Sequence, residues 1–407
     1  MQQPGSTADV IHLGPWERAP AVQQPDWRDH PAYDEACRSL ASAPPLVTAP
    51  EVRQLREALS TLASTGGLLL QLGDCAESFY ECTPRHTSEK LKVIDSLGDR
   101  LSQLTGRGVV RVGRMGGQFA KPRSAATEWY DAVRIPSFRG HMINSDIATS
   151  ETRRSNPRRM VWAYEASDKV QRVMRTYRQG DGRTAPPEGP WSSHEALVVD
   201  YESRLIRRDP DTGGLYLGST HLPWVGERTR QPDEAHVAML SSVVNPVGCK
   251  IGPKAKPDDV LRVCAALDPG REPGRLVLIA RMGRERIHEA LPPIVRRVAN
   301  AGHPVIWLSD PMHGNTVKLP TGLKTRHLGD VVTEAVRFRD ILEAHRQPAA
   351  GLHIEVAAED VTECLGGPVE NEEELQRHYT SLCDPRLNPK QAVELFEAWA
   401  NGTMSCP

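Results

Sequence analysis

The sequence carries no excess of charge of either sign: 50 Lys and Arg stand against 52 Asp and Glu, a net of -2 over 407 residues. That excludes the broad basic field on which nucleic-acid binders depend. No stretch approaches the ~20 apolar residues of a membrane span, and the best runs, such as 276–280, are of strand length. The first 25 residues show neither a basic n-region nor an apolar h-region, so no secretory signal is expected. The eight cysteines are too few for a disulfide scaffold. They include no C-x-x-C pair, which excludes a zinc ribbon. There is no repeat of fixed period. There is no dinucleotide fingerprint either, since Gly113-Arg114-Met115-Gly116-Gly117 does not match G-x-G-x-x-G. The expectation is a cytoplasmic protein with neither a nucleic-acid nor a membrane partner.

What is present is a rhythm. Residues 1–30 are rich in Pro and Gln and read as an arm over a core or as a disordered tail. Helical patterns follow at 33–40 and 51–63. Then eight short apolar runs occur, at 68–72, 109–112, 196–199, 222–225, 247–251, 276–280, 305–308 and 352–356. Several are continuous rather than alternating, as in parallel strands covered on both faces. Amphipathic patterns at 87–104, 158–177, 257–267, 284–300 and 328–344 fall between them, and 390–400 follows the last. This predicts a (β/α)8 TIM barrel with an N-terminal extension. Residues 1–65 would be an arm and helices packing on the barrel, and 66–407 the catalytic barrel. A doubly wound sheet is the competing fold. The turn-rich Asp209-Pro210-Asp211-Thr212-Gly213-Gly214 reads as a hairpin that interrupts the alternation.

In such a barrel, chemistry sits at the C-terminal ends of the strands. The residues at or just after the runs form two sets. One is cationic: Arg114, Lys121, Arg123, Arg228, Lys250 and Arg281. A charge beside a buried apolar run is costly unless paired or liganded. For any single cation, a salt bridge to a neighbouring carboxylate explains it equally well. Several converging on one mouth imply a polyanionic ligand, with Arg forks suited to phosphate and carboxylate. Asp200 and Glu202 are read as following the third run.

The other set is metal-like. Cys75, His313 and Glu355 come from three different strand ends, and Asp384 offers a fourth oxygen. Mixed S/N/O ligation suits a divalent first-row metal such as Mn, Fe, Co or Zn rather than Mg or Ca. Read alone, His313 is more readily a satisfied core histidine than a ligand; three ligand types at three strand ends bring the two readings level. His353 shares a strand face with Glu355 by parity. His194, His221 and His236 are candidates for the mouth, though nothing forces them there. His86, His288, His327, His345 and His378 read as surface residues.

At this point whole motifs resemble one family. They are Gly73-Asp74-Cys75-Ala76-Glu77, the stretch 111–124 ending Lys121-Pro122-Arg123-Ser124, the stretch 224–231 around Glu227-Arg228, the stretch 245–253 around Lys250, Asp310-Pro311-Met312-His313-Gly314-Asn315 and Gly351-Leu352-His353-Ile354-Glu355. From about residue 25 onward the chain resembles the type II 3-deoxy-D-arabino-heptulosonate 7-phosphate (DAHP) synthases, in particular a short subgroup associated with secondary metabolism. The resemblance implies a (β/α)8 barrel that condenses phosphoenolpyruvate (PEP) with erythrose 4-phosphate at the start of the shikimate pathway. It implies a divalent metal, Mn first with Co or Zn as alternatives, on Cys75, His313, Glu355 and Asp384.

The same resemblance implies PEP contacts from Arg114, Glu227, Arg228, Lys250 and Arg281. Lys121, Arg123 and Ser124 would reach both substrates, and Lys324 the aldose phosphate. Lys250 and Glu355, with Arg114 and Lys121, are the expected catalytic groups. A homo-oligomer, a dimer, is expected. Phe119 stands where the family commonly has tyrosine, Met115-Gly116 where Ile-Ala is commoner, and Cys249 where an apolar residue is usual. The stretch 144–194 is short, where longer members carry additional helices for inhibitor sites. An amino-DAHP synthase using an imine of the aldose shares the motifs. A non-catalytic regulatory paralogue would have lost ligands, and here every position is filled.

Overall fold

The computed structural model describes residues 14–179 and 189–402. Eight parallel strands close into a barrel: β1 (Leu68–Gly73), β2 (Val109–Arg114), β3 (Trp191–Glu195), β4 (Leu222–Val225), β5 (Val247–Ile251), β6 (Leu276–Ala280), β7 (Ile306–Ser309) and β8 (Ala349–Glu355). Each pairs with its successor, and β8 closes on β1, from Leu69 opposite Gly351 to Gly73 opposite Glu355. Helices α1 (Tyr33–Ser42) and α2 (Ala49–Thr65) precede the barrel. Then α3 (Pro84–Thr105), α4 (Arg158–Gln179), α5 (Val199–Arg204), α6 (Ala235–Ser241), α7 (Pro257–Leu267), α8 (Ile287–Asn300), α9 (Leu328–Ala344) and α10 (Pro389–Asn401) follow the strands in turn. Among the described residues no helix is long and apolar enough to cross a membrane.

The continuous apolar runs are explained by burial on both faces. Leu68, Leu70 and Leu72 share a core with Ile94 and Leu97 of α3 and Phe396 of α10, whereas Leu69 lies inside the barrel with Val112, Trp191, Val277 and Ile306. Cys249 lies on the helix-facing side, in the core that holds Val263 and Cys264 of α7. The barrel's lower end is closed by α2. A reciprocal cap starts this helix, with Glu51 N–H donating to Thr48 Oγ1 and Thr48 N–H to Glu51 Oε2. Leu55, Leu59 and Leu62 of α2 join the interior cluster. Each is essentially buried, a contribution of roughly 1.5–3 kcal/mol per side chain. Further up the interior the inward positions turn polar: Gln71, Ser193, Lys250, His353 and Glu355 are all buried.

The third strand corrects the sequence reading. It is Trp191–Glu195, not 196–199. Three of its five residues are Ser192, Ser193 and His194, each buried with a hydrogen-bond partner: Ser193 Oγ takes a bond from Gln71 at 2.9 Å and donates to Gly113 O at 3.0 Å. Hydropathy therefore passed over it. The apolar stretch just beyond is buried under the N-terminal arm, where Gln24 Nε2 donates to Leu197 O at 2.9 Å. Asp200 and Glu202 accordingly lie in α5. Asp200 accepts from Trp27 Nε1 and Arg28, and Glu202 from Ser219 while pairing with His194. Residues 14–30 are thus an arm laid on the barrel; residues 1–13 lie outside the described residues. The expected hairpin is present, Ile206–Arg208 against Leu215–Leu217.

Candidate active site

At the C-terminal mouth, β1 leaves the sheet at Gly73, whose φ of 145° is open to glycine, and a Cβ there would stand 2.8 Å from Arg114 O. The next residue, Asp74, is clamped by Lys90 and Arg386, both at 2.6 Å, which fixes the turn that presents Cys75. Cys75 is 1% exposed. Its sulfur lies 2.6 Å from Lys121 Nζ and 3.2 Å from the Asp384 backbone nitrogen. Lys121 Nζ also stands 3.2 Å from Asp384 Oδ2 and 3.8 Å from Glu355 Oε1. His313 approaches Glu355 Oε1 with Nε2, at 3.2 Å, because its Nδ1 is held 2.8 Å from Asp310 Oδ2. The four metal-type residues named from sequence are therefore drawn together, from the ends of β1 and β8 and from the loops after β7 and before α10.

The electrostatics are those of a buried ionic cluster. Burial alone would raise the Glu355 carboxyl, but His313, Arg326, Lys121 and Arg114 hold it well below the usual range. Asp310 is likewise held down, against its burial, by His313 and Lys250. Burial, with the Cys383 contact and nearby carboxylates, pushes the Cys75 thiol up against the pull of Lys121. Among the described residues, no three His, Cys, Asp or Glu side chains stand arranged around a common ion position; the Lys121 ammonium is the cation that Cys75, Asp384 and Glu355 share. The donor types still fit a divalent first-row metal: one thiol, one imidazole and two carboxylates, already gathered about positive charge. The Asp310 grip on His313 is the kind of support that metal-binding histidines receive.

Beside this cluster opens a cavity of about 830 Å³, lined by Lys121, Arg123, Ser124, Glu227, Arg228, Lys250, Arg281, His313, Lys324 and Asp384. Arg228 Nη2 donates to Ser124 Oγ at 2.7 Å, and Arg281 Nη2 to His313 O at 2.7 Å. Among the described residues neither guanidinium has a carboxylate partner, unlike Arg123 with Glu128 at 2.7 Å. Lys250 reaches Asp310 at 2.9 Å, and its burial lowers its pKa despite that partner. Glu227 accepts from Gly252 N–H at 2.6 Å and pairs with Arg230. Lys324 bonds Asp384 at 2.8 Å. Trp224 lies beneath, with Arg114 and Lys250 over its ring at 5.4 and 5.7 Å.

The chain matches the family model described as the class-II DAHP synthetase family, over residues 11–186 and 186–400. It belongs to that family. A probable phospho-2-dehydro-3-deoxyheptonate aldolase of Pseudomonas fluorescens is 42% identical over 95% of both chains. The phospho-2-dehydro-3-deoxyheptonate aldolase of Streptomyces coelicolor is 38% identical over 93% of this chain and 94% of its own. That of Mycolicibacterium smegmatis is 36% identical over 92% and 91%.

Within this class-II DAHP synthetase framework, Arg114 differs in placement from the other cations. It lies below the cavity, bonded to Asp74 O, His353 Nε2 and Glu355 Oε1. His353 does face inward beside Glu355, and its Nδ1 meets Gln71 Oε1 at 2.7 Å. His194 stands near the top of β3, paired with Glu202, whereas His221 precedes β4 at the barrel's lower end and His236 lies on α6 against Leu197 O. Sequence reasoning passed over four residues. Asp310 was detectable from its i,i+3 spacing to His313. Arg326, wholly buried and 2.8 Å from Glu355 Oε2, follows a two-residue strand with no apolar run to mark it. Glu195 and Lys254 line the cavity, and Glu195 was hidden by the missed strand.

Proposed function

We propose that this chain condenses PEP with erythrose 4-phosphate and water to give DAHP and inorganic phosphate. The observation that carries the reading is the junction of the Cys75, His313, Glu355 and Asp384 cluster with a cavity holding Arg228, Lys250 and Arg281. A carbonyl-activating centre beside an anion receptor is what joining an aldose phosphate to PEP requires.

In this reading Arg228, Lys250 and Arg281 hold the phosphate and carboxylate of PEP, so that C3 faces the aldehyde carbon. Lys121, Arg123 and Ser124, the last bonded to Arg228, reach both substrates, and Lys324 takes the aldose phosphate. A divalent ion on Cys75, His313, Glu355 and Asp384, manganese in the first instance, supplies Lewis acidity toward the aldehyde oxygen when bound. PEP C3 forms the new C–C bond, water adds at C2, and the C2–O bond to phosphate breaks. Lys250, held by Asp310, and Glu355, held by Arg114 and Arg326, are the groups placed to hold or move protons at the water and the C2 oxygen. Glu227, fixed by Arg230 and Gly252 N–H, orders the floor of the PEP site.

The test is turnover of PEP with erythrose 4-phosphate and Mn, with and without an ammonia donor. Phosphate release matched to DAHP formation without ammonia supports the reading. Turnover only with ammonia would transfer it to the amino-DAHP reaction. No turnover under either condition overturns it. Supply to a secondary pathway and a dimeric state belong to the same reading, and sedimentation of the active enzyme checks the latter.

A further inference from the structure

Glu334 belongs to none of the roles above. It sits in α9, outside the barrel, and is completely buried. Its Oε1 accepts the backbone N–H groups of Met282 and Gly283, at 2.7 and 2.9 Å. Its Oε2 accepts from Asn315 Nδ2 at 2.6 Å. Among the described residues it has no cation within ion-pair distance. Its three donors are neutral amides, and they belong to two different loops.

Those two loops carry the site. Arg281 immediately precedes Met282, and His313 stands two residues before Asn315. The loops also approach closely at two glycines: a Cβ on Gly314 would lie 2.3 Å from Gly283 N. Gly283 itself has φ of 80°, open to glycine. Asn315 extends the lock, with Oδ1 accepting Arg284 N–H at 3.0 Å and Nδ2 donating to Pro311 O at 2.8 Å. At the cavity side the same two loops meet again where Arg281 Nη2 bonds His313 O.

We propose that Glu334 is a positioning residue. It fixes the loop bearing Arg281 against the loop bearing His313, and so sets the distance between the PEP-binding guanidinium and the imidazole of the metal cluster. A buried carboxylate is costly, and burial raises this one to about 8 even against its three donors. An apolar residue would fill the space but leave two backbone N–H groups buried and unpaired. The inference rests on the assignment of Arg281 to PEP and of His313 to the metal.

Glu334→Gln tests it with minimal change of shape. The amide oxygen can serve the two N–H groups, but its NH2 then faces the NH2 of Asn315. Asn315→Ala removes the other arm and carries the test where the Gln variant is poorly folded. In each, KM for PEP should rise tenfold or more and Mn affinity by calorimetry should fall at least threefold. KM for erythrose 4-phosphate should change less than twofold. The double variant should be no worse than the more impaired single one, because the two residues act as a unit. Proportional rises in both KM values, or a loss of melting temperature with binding constants within twofold of wild type, overturns the proposal. PEP and Mn binding are read by calorimetry independently of turnover. A wild-type enzyme inactive with erythrose 4-phosphate would overturn the proposed reaction, and the binding arms would still decide on Glu334.

Discussion

The Lys121 ammonium nitrogen lies 2.6 Å from the sulfur of Cys75 and 3.2 Å from the carboxylate of Asp384. The lysine also lines the cavity, so the residue that balances the ligands' charge is one that can meet substrate. Cys75→Ser should therefore abolish metal-dependent turnover. A hydroxyl does not ionise near neutral pH and is a poorer ligand for a borderline-soft ion. One ligand at the mouth is not part of the core, so circular dichroism and melting should stay close to wild type. Near-wild-type activity after metal is restored would remove Cys75 from the ligand set.

Arg281→Ala should mainly damage the use of PEP. The guanidinium lines the cavity and, among the described residues, has only His313 O as a hydrogen-bond partner, so its charge is free to serve an anion. Losing a preorganised charged donor costs roughly 2–4 kcal/mol, or about 30- to 1000-fold in kcat/KM. Steady-state kinetics with PEP varied at saturating aldose phosphate measures it. An unchanged kcat/KM for PEP would count against the cation cluster as the PEP site.

Which parts of this architecture were legible follows from the physics of each element. β5 and β6 are continuous apolar runs because both faces are buried, and their bounds are those read from the sequence. β3 escaped because its polar side chains are buried with partners: Ser192, Ser193 and His194 each make a hydrogen bond. Hydropathy registers transfer from water, not replacement of water by a buried partner. The ligand-type residues stood out because Cys, His and Glu beside strand ends are unusual chemistry in an apolar setting. Arg326 and Glu334 did not, since each lies in a stretch that reads as ordinary surface charge. Only the fold brings Arg326 under Glu355 and aims Glu334 between two loops. The placement of Arg114 beneath the cavity was equally out of reach, because a strand's end position does not say whether a long side chain turns toward solvent or back along the barrel.

The lower end of the barrel makes a separate prediction, about acid stability. His221 is fully buried, and its Nδ1 accepts the Ser192 N–H at 3.1 Å. Burial, reinforced by Arg178, lowers its pKa from 6.5 to about 3. The folded state thus keeps this imidazole neutral where the unfolded chain protonates it. Below pH 6.5 the unfolded state binds more protons, so stability falls as pH falls, until the folded pKa is reached. At pH 5 the histidine should cost about 2 kcal/mol relative to pH 7.5. His221→Asn keeps an acceptor for Ser192 and removes the titration. Urea unfolding at the two pH values should show wild type losing about 2 kcal/mol more than the variant. Equal losses would mean that His221 does not titrate as its burial demands.

No inhibition by aromatic amino acids is expected. Among the described residues of the stretch 144–194, α4 is the one helix, and it is built into the barrel wall. Its Met160, Ala163, Val170 and Met174 lie in the core shared with α3 and the N-terminal segment. The described residues of this stretch thus add no helix beyond the one in the barrel wall. Allosteric inhibition requires a separate site whose ligand binds two states of the protein with different affinity. Tryptophan, phenylalanine and tyrosine, singly or in pairs, should therefore leave turnover essentially unchanged at millimolar concentration. The assay is steady-state rate at subsaturating PEP, where a shift toward a weak-binding state is most visible. Calorimetry with each amino acid separates a silent binder from a non-binder. Loss of more than half the activity would place an inhibitor site elsewhere on the surface, such as a subunit interface, and would show that a compact α4 segment does not by itself make the enzyme insensitive.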